Sequence, residues 1–322
     1  MKLYPLKFDP IFEYRVWGGE NLKNVLGKSY TKNQIGESWE ISAVPGKETV
    51  VSDGALKGKR IKDLISLSKD DFLGDSYQSD NTEFPLLIKF IDSASPLSIQ
   101  VHPDDVLAKK RHKSLGKNEM WYIMPSEDNA SITVGFKEKL DQKSYKSHIK
   151  NGTITDVLNT IDVKEGDVFY IPAGRVHAIG TGVTLAEIQQ SSNITYRIYD
   201  YDRIDKKTGT KRELHTDQAL EAVDYSIEDS YNSQYSRTPN CKNKLVNSPF
   251  FKTNFLKLDQ DLELNIESIN SFIIYMCVKG KTSLKHEGQT YNLKMGECIL
   301  IPAVLKELKW KTENAELIEI YV

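Results

Sequence analysis

The chain has 322 residues, 39% apolar and 27% charged, with a formal net charge of −2. That length accommodates two cores of ordinary size, and the composition is that of a soluble globular protein. Near-neutral charge gives no electrostatic case for nucleic acid or an anionic membrane, no apolar run approaches the ~18 residues of a span, and the first residues lack the apolar core of a secretory leader.

In chain order, the first motifs are Tyr14-Arg-Val-Trp17-Gly18 and Gly36-Glu37-Ser-Trp39, whose tryptophans read as core side chains. Residues 59–67 have the apolar spacing of a short amphipathic helix. The stretch Pro96-Leu-Ser98-Ile-Gln100-Val-His102-Pro103 alternates, so Ser98, Gln100 and His102 share one face of a strand that Pro103 ends. Lys117-Asn118-Glu119 then opens a second strand-like run. Residues 140–150 read as a helix stopped by Asn151-Gly152, and one more turn is expected near Asp156.

Gly166-Asp-Val-Phe-Tyr-Ile-Pro172-Ala-Gly174-Arg-Val-His177 is the most informative segment. A glycine turn, four apolar residues and a Pro-x-Gly stop describe a short barrel strand, and His177 follows with its imidazole free to bind a cation. Glu187-Ile-Gln189 alternates again, as do Thr195, Arg197 and Tyr199. Inward polar groups on a barrel strand require partners or a ligand. The basic stretch 205–212 reads as a solvated loop tip, Thr216 as the cap of a helix over 217–224, and 226–244 as a polar linker. Farther on, Gly296-Glu-Cys-Ile-Leu-Ile-Pro302-Ala303 echoes the segment from Gly166 but has no histidine after it, so two barrels of one design are expected, the second without metal.

Gln100, His102, Glu119 and His177 form a reasonable ligand set for a divalent ion, with room left for water or substrate. Imidazole suits Zn, Fe, Ni or Cu, and the oxygens extend the choice toward Mn. His112, His148, His215 and His286 read as ordinary surface or core residues. Cys241, Cys277 and Cys298 have no CxxC spacing, which suggests a reducing cytoplasm.

The Pro-x-Gly-x-x-His segment resembles the second motif of the cupin families. Together with Gln100-Val-His102-Pro-Asp-Asp, Lys117-Asn-Glu119-Met-Trp, the run from Glu187 through Arg197-Ile-Tyr-Asp-Tyr-Asp, and the two N-terminal motifs, it makes the chain resemble type I mannose-6-phosphate isomerase in its short bacterial form. The resemblance implies a mainly β fold of two jelly-roll barrels: a metal-binding catalytic domain over 1–235 with a small helical insertion, and a second barrel over 236–322. It implies a zinc-dependent aldose–ketose isomerase that interconverts mannose 6-phosphate and fructose 6-phosphate, acting on a free sugar phosphate as a monomer or homodimer. Carried over by position, the zinc ligands are Gln100, His102, Glu119 and His177. Arg197 is the active-site arginine, and Lys117 and Glu187 are rival proton-transfer groups, with burial expected to raise the Glu187 pKa. Ser98, Lys89 and Glu37 are expected at the substrate, and Arg197 is a further candidate for its phosphate. Many longer members have proline where this chain has Asn118. Two other readings are a different metal-dependent cupin, such as an Fe(II) oxygenase, and a non-catalytic sugar-phosphate-binding cupin.

Overall fold

In a computed structural model, residues 2–77 and 83–322 are described. The protein is mainly β. Its first strands are β1 (Phe8–Asp9), β2 (Ile11–Gly19), β3 (Ile35–Ile41), β4 (Val50–Val51), β5 (Leu86–Ser93), β6 (Ile99–Val101), β7 (Glu119–Ile123) and β8 (Ser131–Phe136). There follow β9 (Leu158–Asp162), β10 (Val168–Ile171), β11 (His177–Ile179), β12 (Val183–Gln190), β13 (Tyr196–Tyr199), β14 (Ile204–Asp205) and β15 (Thr210–Lys211). The last are β16 (Asn243–Asn247), β17 (Lys252–Leu258), β18 (Leu262–Asn265), β19 (Ile273–His286), β20 (Gln289–Lys294), β21 (Cys298–Ile301) and β22 (Glu307–Tyr321).

Two sheets carry the site: a six-stranded one ordered β10-β7-β12-β5-β2-β3 and a five-stranded one ordered β13-β6-β11-β8-β9. A seven-stranded sheet holds β16 to β22, with the path β16-β17-β22-β19-β20 and with β18 on β22 and β21 on β19. The side chains of β5, β7 and β12 are buried along their whole length, so polar members such as Lys89, Asp92, Glu119, Glu187 and Gln189 are covered together with the apolar ones. One apolar cluster joins Ile88, Met120, Tyr122 and Ile188 to Phe255, Ile274, Leu300 and Ile320, so the six- and seven-stranded sheets share a core. Each such side chain contributes about 1.5–3 kcal/mol on burial.

The echo in the sequence is an echo in structure. β10 and β21 each span four residues after a glycine with positive φ, +91° at Gly166 and +86° at Gly296. Gly166 donates to the Ile123 carbonyl at 2.9 Å and Gly296 to the Cys277 carbonyl at 3.0 Å, so each turn is bonded to the strand that the following strand pairs with, β7 for β10 and β19 for β21. Arg175 donates to Pro172 at 3.1 Å and Leu305 to Pro302 at 3.0 Å, which repeats the stop. Five residues beyond each proline stand His177 and Glu307, and Glu307 is exposed.

The helices are α1 (Asn21–Asn24), α2 (Ile61–Leu67), α3 (Lys69–Leu73), α4 (Asp105–His112), α5 (Gln142–Asn151) and α6 (Thr216–Ala222). The helix expected over 59–67 is α2, and that expected over 140–150 is α5, which ends at a left-handed Gly152. The turn near Asp156 is a 3-10 helix over Ile154–Val157. Thr216 is not a cap. It is the first residue of α6, His215 precedes it without a side-chain cap bond, and the helix stops at Ala222.

The segment 226–244 is not a free linker. Ser233 donates to the Val168 carbonyl at 2.8 Å, Asn232 bridges Phe169, and the Tyr235 hydroxyl donates to the Gly166 carbonyl at 2.7 Å. The segment is thus laid along the open edge of β10, and β16 begins within it at Asn243. Among the described residues, no helix is long and apolar enough to cross a membrane.

Candidate metal centre and active site

Register places the ligand types together. His177 pairs with Gln100 between β11 and β6, and Gln100 pairs with Arg197 between β6 and β13, so the three lie in one row across the five-stranded sheet. His102 lies two residues beyond Gln100, where Pro103 has ended the strand. From the opposing sheet comes Glu119, the first residue of β7. Ile99 and Val101, on the other face, pack into an apolar cluster with Tyr196 and Ile198. The expected alternation therefore holds for Ser98 and Gln100, which line the cavity. It holds for Thr195 and Arg197 but fails at Tyr199. A register shift between Arg197 and Tyr199 turns that ring toward the same apolar cluster.

His102, Glu119 and His177 are fully buried and present ligand atoms within 4.8 Å of one another. His102 Nδ1 lies 2.8 Å from the Ile194 carbonyl, and His177 Nδ1 lies 2.8 Å from the Arg175 carbonyl. A carbonyl only accepts, so each Nδ1 carries the proton and each Nε2 keeps a bare lone pair. Those two Nε2 atoms face each other at 3.1 Å. Burial holds both imidazoles neutral: His102 is well below the usual histidine value, with Lys117 and His177 acting the same way, and His177 is lowered to about 3. Glu119 offers Oε1 at 3.4 Å from His102 Nε2 and Oε2 at 3.6 Å from His177 Nε2, and Oε2 has no hydrogen-bond partner among the described residues. Two facing lone pairs and a buried carboxylate call for a cation between them. The Lys117 ammonium meets this demand in part, lying 3.0 Å from His102 Nε2 and against Glu119 Oε1. The donor set fits a divalent metal, with Gln100 as a fourth side chain 3.3 Å from His177 Nε2.

Next to this group, on the side of Gln100 and Lys117, opens a cavity of about 400 Å³. Gln100, Ser98, Lys89, Lys117, Glu187, Glu37 and Arg197 all line it. On one wall Lys89 donates to Glu187 Oε2 at 2.8 Å and to Gln189 Oε1 at 2.7 Å, while Trp121 Nε1 donates to Glu187 Oε1 at 3.1 Å. Both oxygens of Glu187 are thus engaged. Its burial alone would raise the pKa, but Lys89 and Lys117 outweigh it and the carboxyl is held below its ordinary value, opposite to the sequence expectation. The partner of Glu187 is Lys89, not Arg197. Burial lowers the Lys117 ammonium to about 7 against the pull of Glu187. Glu37 receives Arg15 through two 2.8 Å bonds and Trp39 Nε1 at 2.6 Å.

Trp17 and Trp39 are buried, as expected, although Trp17 also lines the cavity. Of the other histidines, His112 meets the Tyr196 hydroxyl, His148 meets Thr153, and His215 accepts from the Arg197 amide. Asn118, the departure from longer members, accepts from the Ala173 amide at 2.9 Å and donates to Gln190 at 2.7 Å. It ties the start of β7 to the turn that delivers His177, a link that proline could not make. Sequence reasoning missed Tyr14, Arg15 and Arg212 at the cavity. Of the four basic residues in the loop over 205–212, Lys206, Lys207 and Lys211 are exposed as expected, but Arg212 turns inward.

Residues 6–134 match the family model for the catalytic domain of type I phosphomannose isomerase, and residues 242–322 match that for the cupin domain of mannose-6-phosphate isomerase. Mannose-6-phosphate isomerase ManA of Bacillus subtilis is 32% identical over 96% of this chain and 96% of its own. The chain belongs to the type I phosphomannose isomerase family. Mannose-6-phosphate isomerase of Streptococcus mutans is 32% identical over 94% of this chain and 93% of its own. The crystal structure of the mannose 6-phosphate isomerase from Bacillus subtilis superposes with a TM-score of 0.90 at 31% identity, covering 99% of both chains. Family membership thus extends across both halves of the fold.

Proposed function

We propose that the protein interconverts mannose 6-phosphate and fructose 6-phosphate with one zinc ion held by Gln100, His102, Glu119 and His177. The observation that carries this reading is the pair of facing, proton-free Nε2 atoms beside the buried Glu119 carboxylate, next to Gln100 and Lys117 in the wall of a cavity lined by lysine and arginine. An N/O donor set with two imidazoles suits zinc. When bound, the ion supplies Lewis acidity at substrate oxygens.

The chain's own residues supply the rest. An aldose–ketose isomerisation moves a proton between C2 and C1 through a cis-enediol(ate). Lys117, in the cavity wall beside His102, is our choice for that transfer, because Glu187 spends both oxygens on Trp121 and Lys89. Glu187 and Lys89 then form a fixed wall that orients Lys117 and sugar hydroxyls. Arg197 stabilises developing negative charge, and Ser98 and Glu37 contact the substrate. The enclosed cavity limits water.

We further propose that the six- and five-stranded sheets form a catalytic cupin barrel over 1–235, and the seven-stranded sheet a second barrel over 236–322 that holds no metal. The three unpaired cysteines support a reducing, cytoplasmic setting.

The test is mannose 6-phosphate turnover by the purified protein before and after chelation, with zinc added back, alongside turnover by Lys117→Met and Glu187→Gln. Chelator-sensitive turnover restored by zinc is expected. Lys117→Met should lose at least about a hundredfold in kcat with its zinc retained, and Glu187→Gln should lose less. Full turnover in metal-free protein would overturn the metal reading, and a Lys117→Met enzyme with normal kcat would overturn the choice of lysine.

A further inference from the structure

Five basic side chains line the cavity against three carboxylates. Three arginines gather at one aspartate. Asp200 accepts from Arg212 Nε at 2.8 Å and Nη2 at 2.5 Å, and from Arg203 Nη2 at 2.6 Å. Arg203 spends Nη1 on the Pro96 carbonyl at 2.6 Å, and only Arg197 and Arg212 of the three line the cavity. Arg197 donates Nη1 to the Glu213 carbonyl at 2.8 Å, beside Arg212 in sequence, and its Nε is buried without a partner. The acids that line the cavity have partners of their own: Glu37 has Arg15, Glu187 has Lys89, and Asp205 has the Tyr14 hydroxyl at 3.1 Å. Asp200 holds one edge of the Arg212 guanidinium and leaves Nη1, with its two protons, without a partner among the described residues.

Arg212 is also held in place from outside. It follows β15, whose hairpin with β14 is tied across to β2 by the Tyr14–Asp205 bond and by the Lys207 ammonium 5.3 Å above the Tyr14 ring. A guanidinium fixed along one edge presents the other to a bidentate oxyanion.

We propose that Arg212, oriented by Asp200, grips the phosphate of the sugar phosphate. This rests on the reading that the cavity takes a sugar phosphate. Asp200 is a positioning residue in this arrangement, and the strand-end hairpin is the device that brings the arginine to the substrate.

The experiment uses full-length, zinc-loaded protein. It compares wild type with Arg212→Met, Arg212→Lys, Asp200→Asn and Asp200→Glu in two measurements: the KM and kcat for mannose 6-phosphate, and the Kd of inorganic phosphate by calorimetry. Arg212→Met should raise both KM and the phosphate Kd by about tenfold or more, with kcat held within about threefold. Arg212→Lys should recover part of both, Asp200→Asn should raise KM by less than Arg212→Met, and Asp200→Glu should restore part of that. A folded Arg212→Met with unchanged KM and unchanged phosphate Kd overturns the proposal, as does a loss confined to kcat. If Arg212→Met fails to fold, Arg212→Gln decides by the same criteria. Wild type that binds phosphate but does not isomerise mannose 6-phosphate overturns the functional reading, while the phosphate comparison still decides on Arg212. Wild type that isomerises the sugar with a KM unaffected at Arg212 overturns this proposal alone.

Discussion

Single residues at this site are defined by what their second atoms do. The two imidazoles present Nε2 to the site because backbone carbonyls hold Nδ1, and Glu37 is a fixed anion because Arg15 grips it with a fork. Glu37 gives a pH prediction. Burial would raise its pKa, but Arg15 and Lys89 overcome this and hold it far below the ordinary carboxylate value. A carboxyl depressed on folding stabilises the native state fully above its unfolded pKa of about 4.3, and that contribution fades as pH falls toward the folded value. Glu37→Gln should therefore melt well below wild type at pH 7, and the gap should narrow steadily from about pH 4 downward. Melting curves at stepped pH check it, and a gap that widens in acid would count against it. Much of this scale was legible in the sequence: Gln100, His102, Glu119 and His177 are ligand types placed beside strand-ending punctuation. Arg212 was not legible, because its neighbours Lys206, Lys207 and Lys211 are truly exposed and only the hairpin turns it inward.

Among the elements, close packing of one strand's glycine against side chains of the next sets part of the cavity wall. Gly36 in β3 lies so near β2 that a Cβ there would come within 2.4 Å of Trp17 Cζ3 and 2.8 Å of Arg15 Cβ. Both side chains line the cavity. Gly36→Ala should cost about 1–3 kcal/mol through overpacking and should raise KM by displacing Trp17 and Arg15. Urea unfolding and steady-state kinetics check it together, and an unchanged urea midpoint would show that the wall yields freely. Strands β10 and β21 could be read from their glycine and proline brackets, which act locally. Helix α4 could not, since among its residues only Ala108 is buried and its last turn is all basic, leaving almost no apolar period to detect. The start of α6 was misplaced by one residue because threonine in the first turn looks like a cap when its side-chain bond is unknown.

Across the whole molecule, the two halves are joined by a continuous core. Tyr122 stacks with Phe255 at 6.3 Å, Arg237 lies over the same Phe255 ring at 4.8 Å, and Thr253 meets the Met120 sulfur at 3.1 Å. Phe255→Ala should therefore cost about 3–5 kcal/mol and lower the melting of both halves in one transition. Calorimetry with activity followed in parallel checks this, and two separate transitions would show that the halves fold independently. The echo between Gly166 and Gly296 made the repeated turn and strand legible, but the shared core was not, because an alternating strand does not say which sheet will cover it. The N-terminal segment adds to this join: Leu6 and Leu300 exchange two backbone hydrogen bonds, each 2.8 Å. Residue 6 leaves the ribosome long before residue 300 exists. During synthesis, Leu3, Leu6 and the apolar face of β5 and β12 must wait uncovered, so the growing chain is exposed to aggregation until its last strands emerge. Chaperone demand in the cell should thus follow translation speed through the final third of the message more closely than the stability of the finished protein.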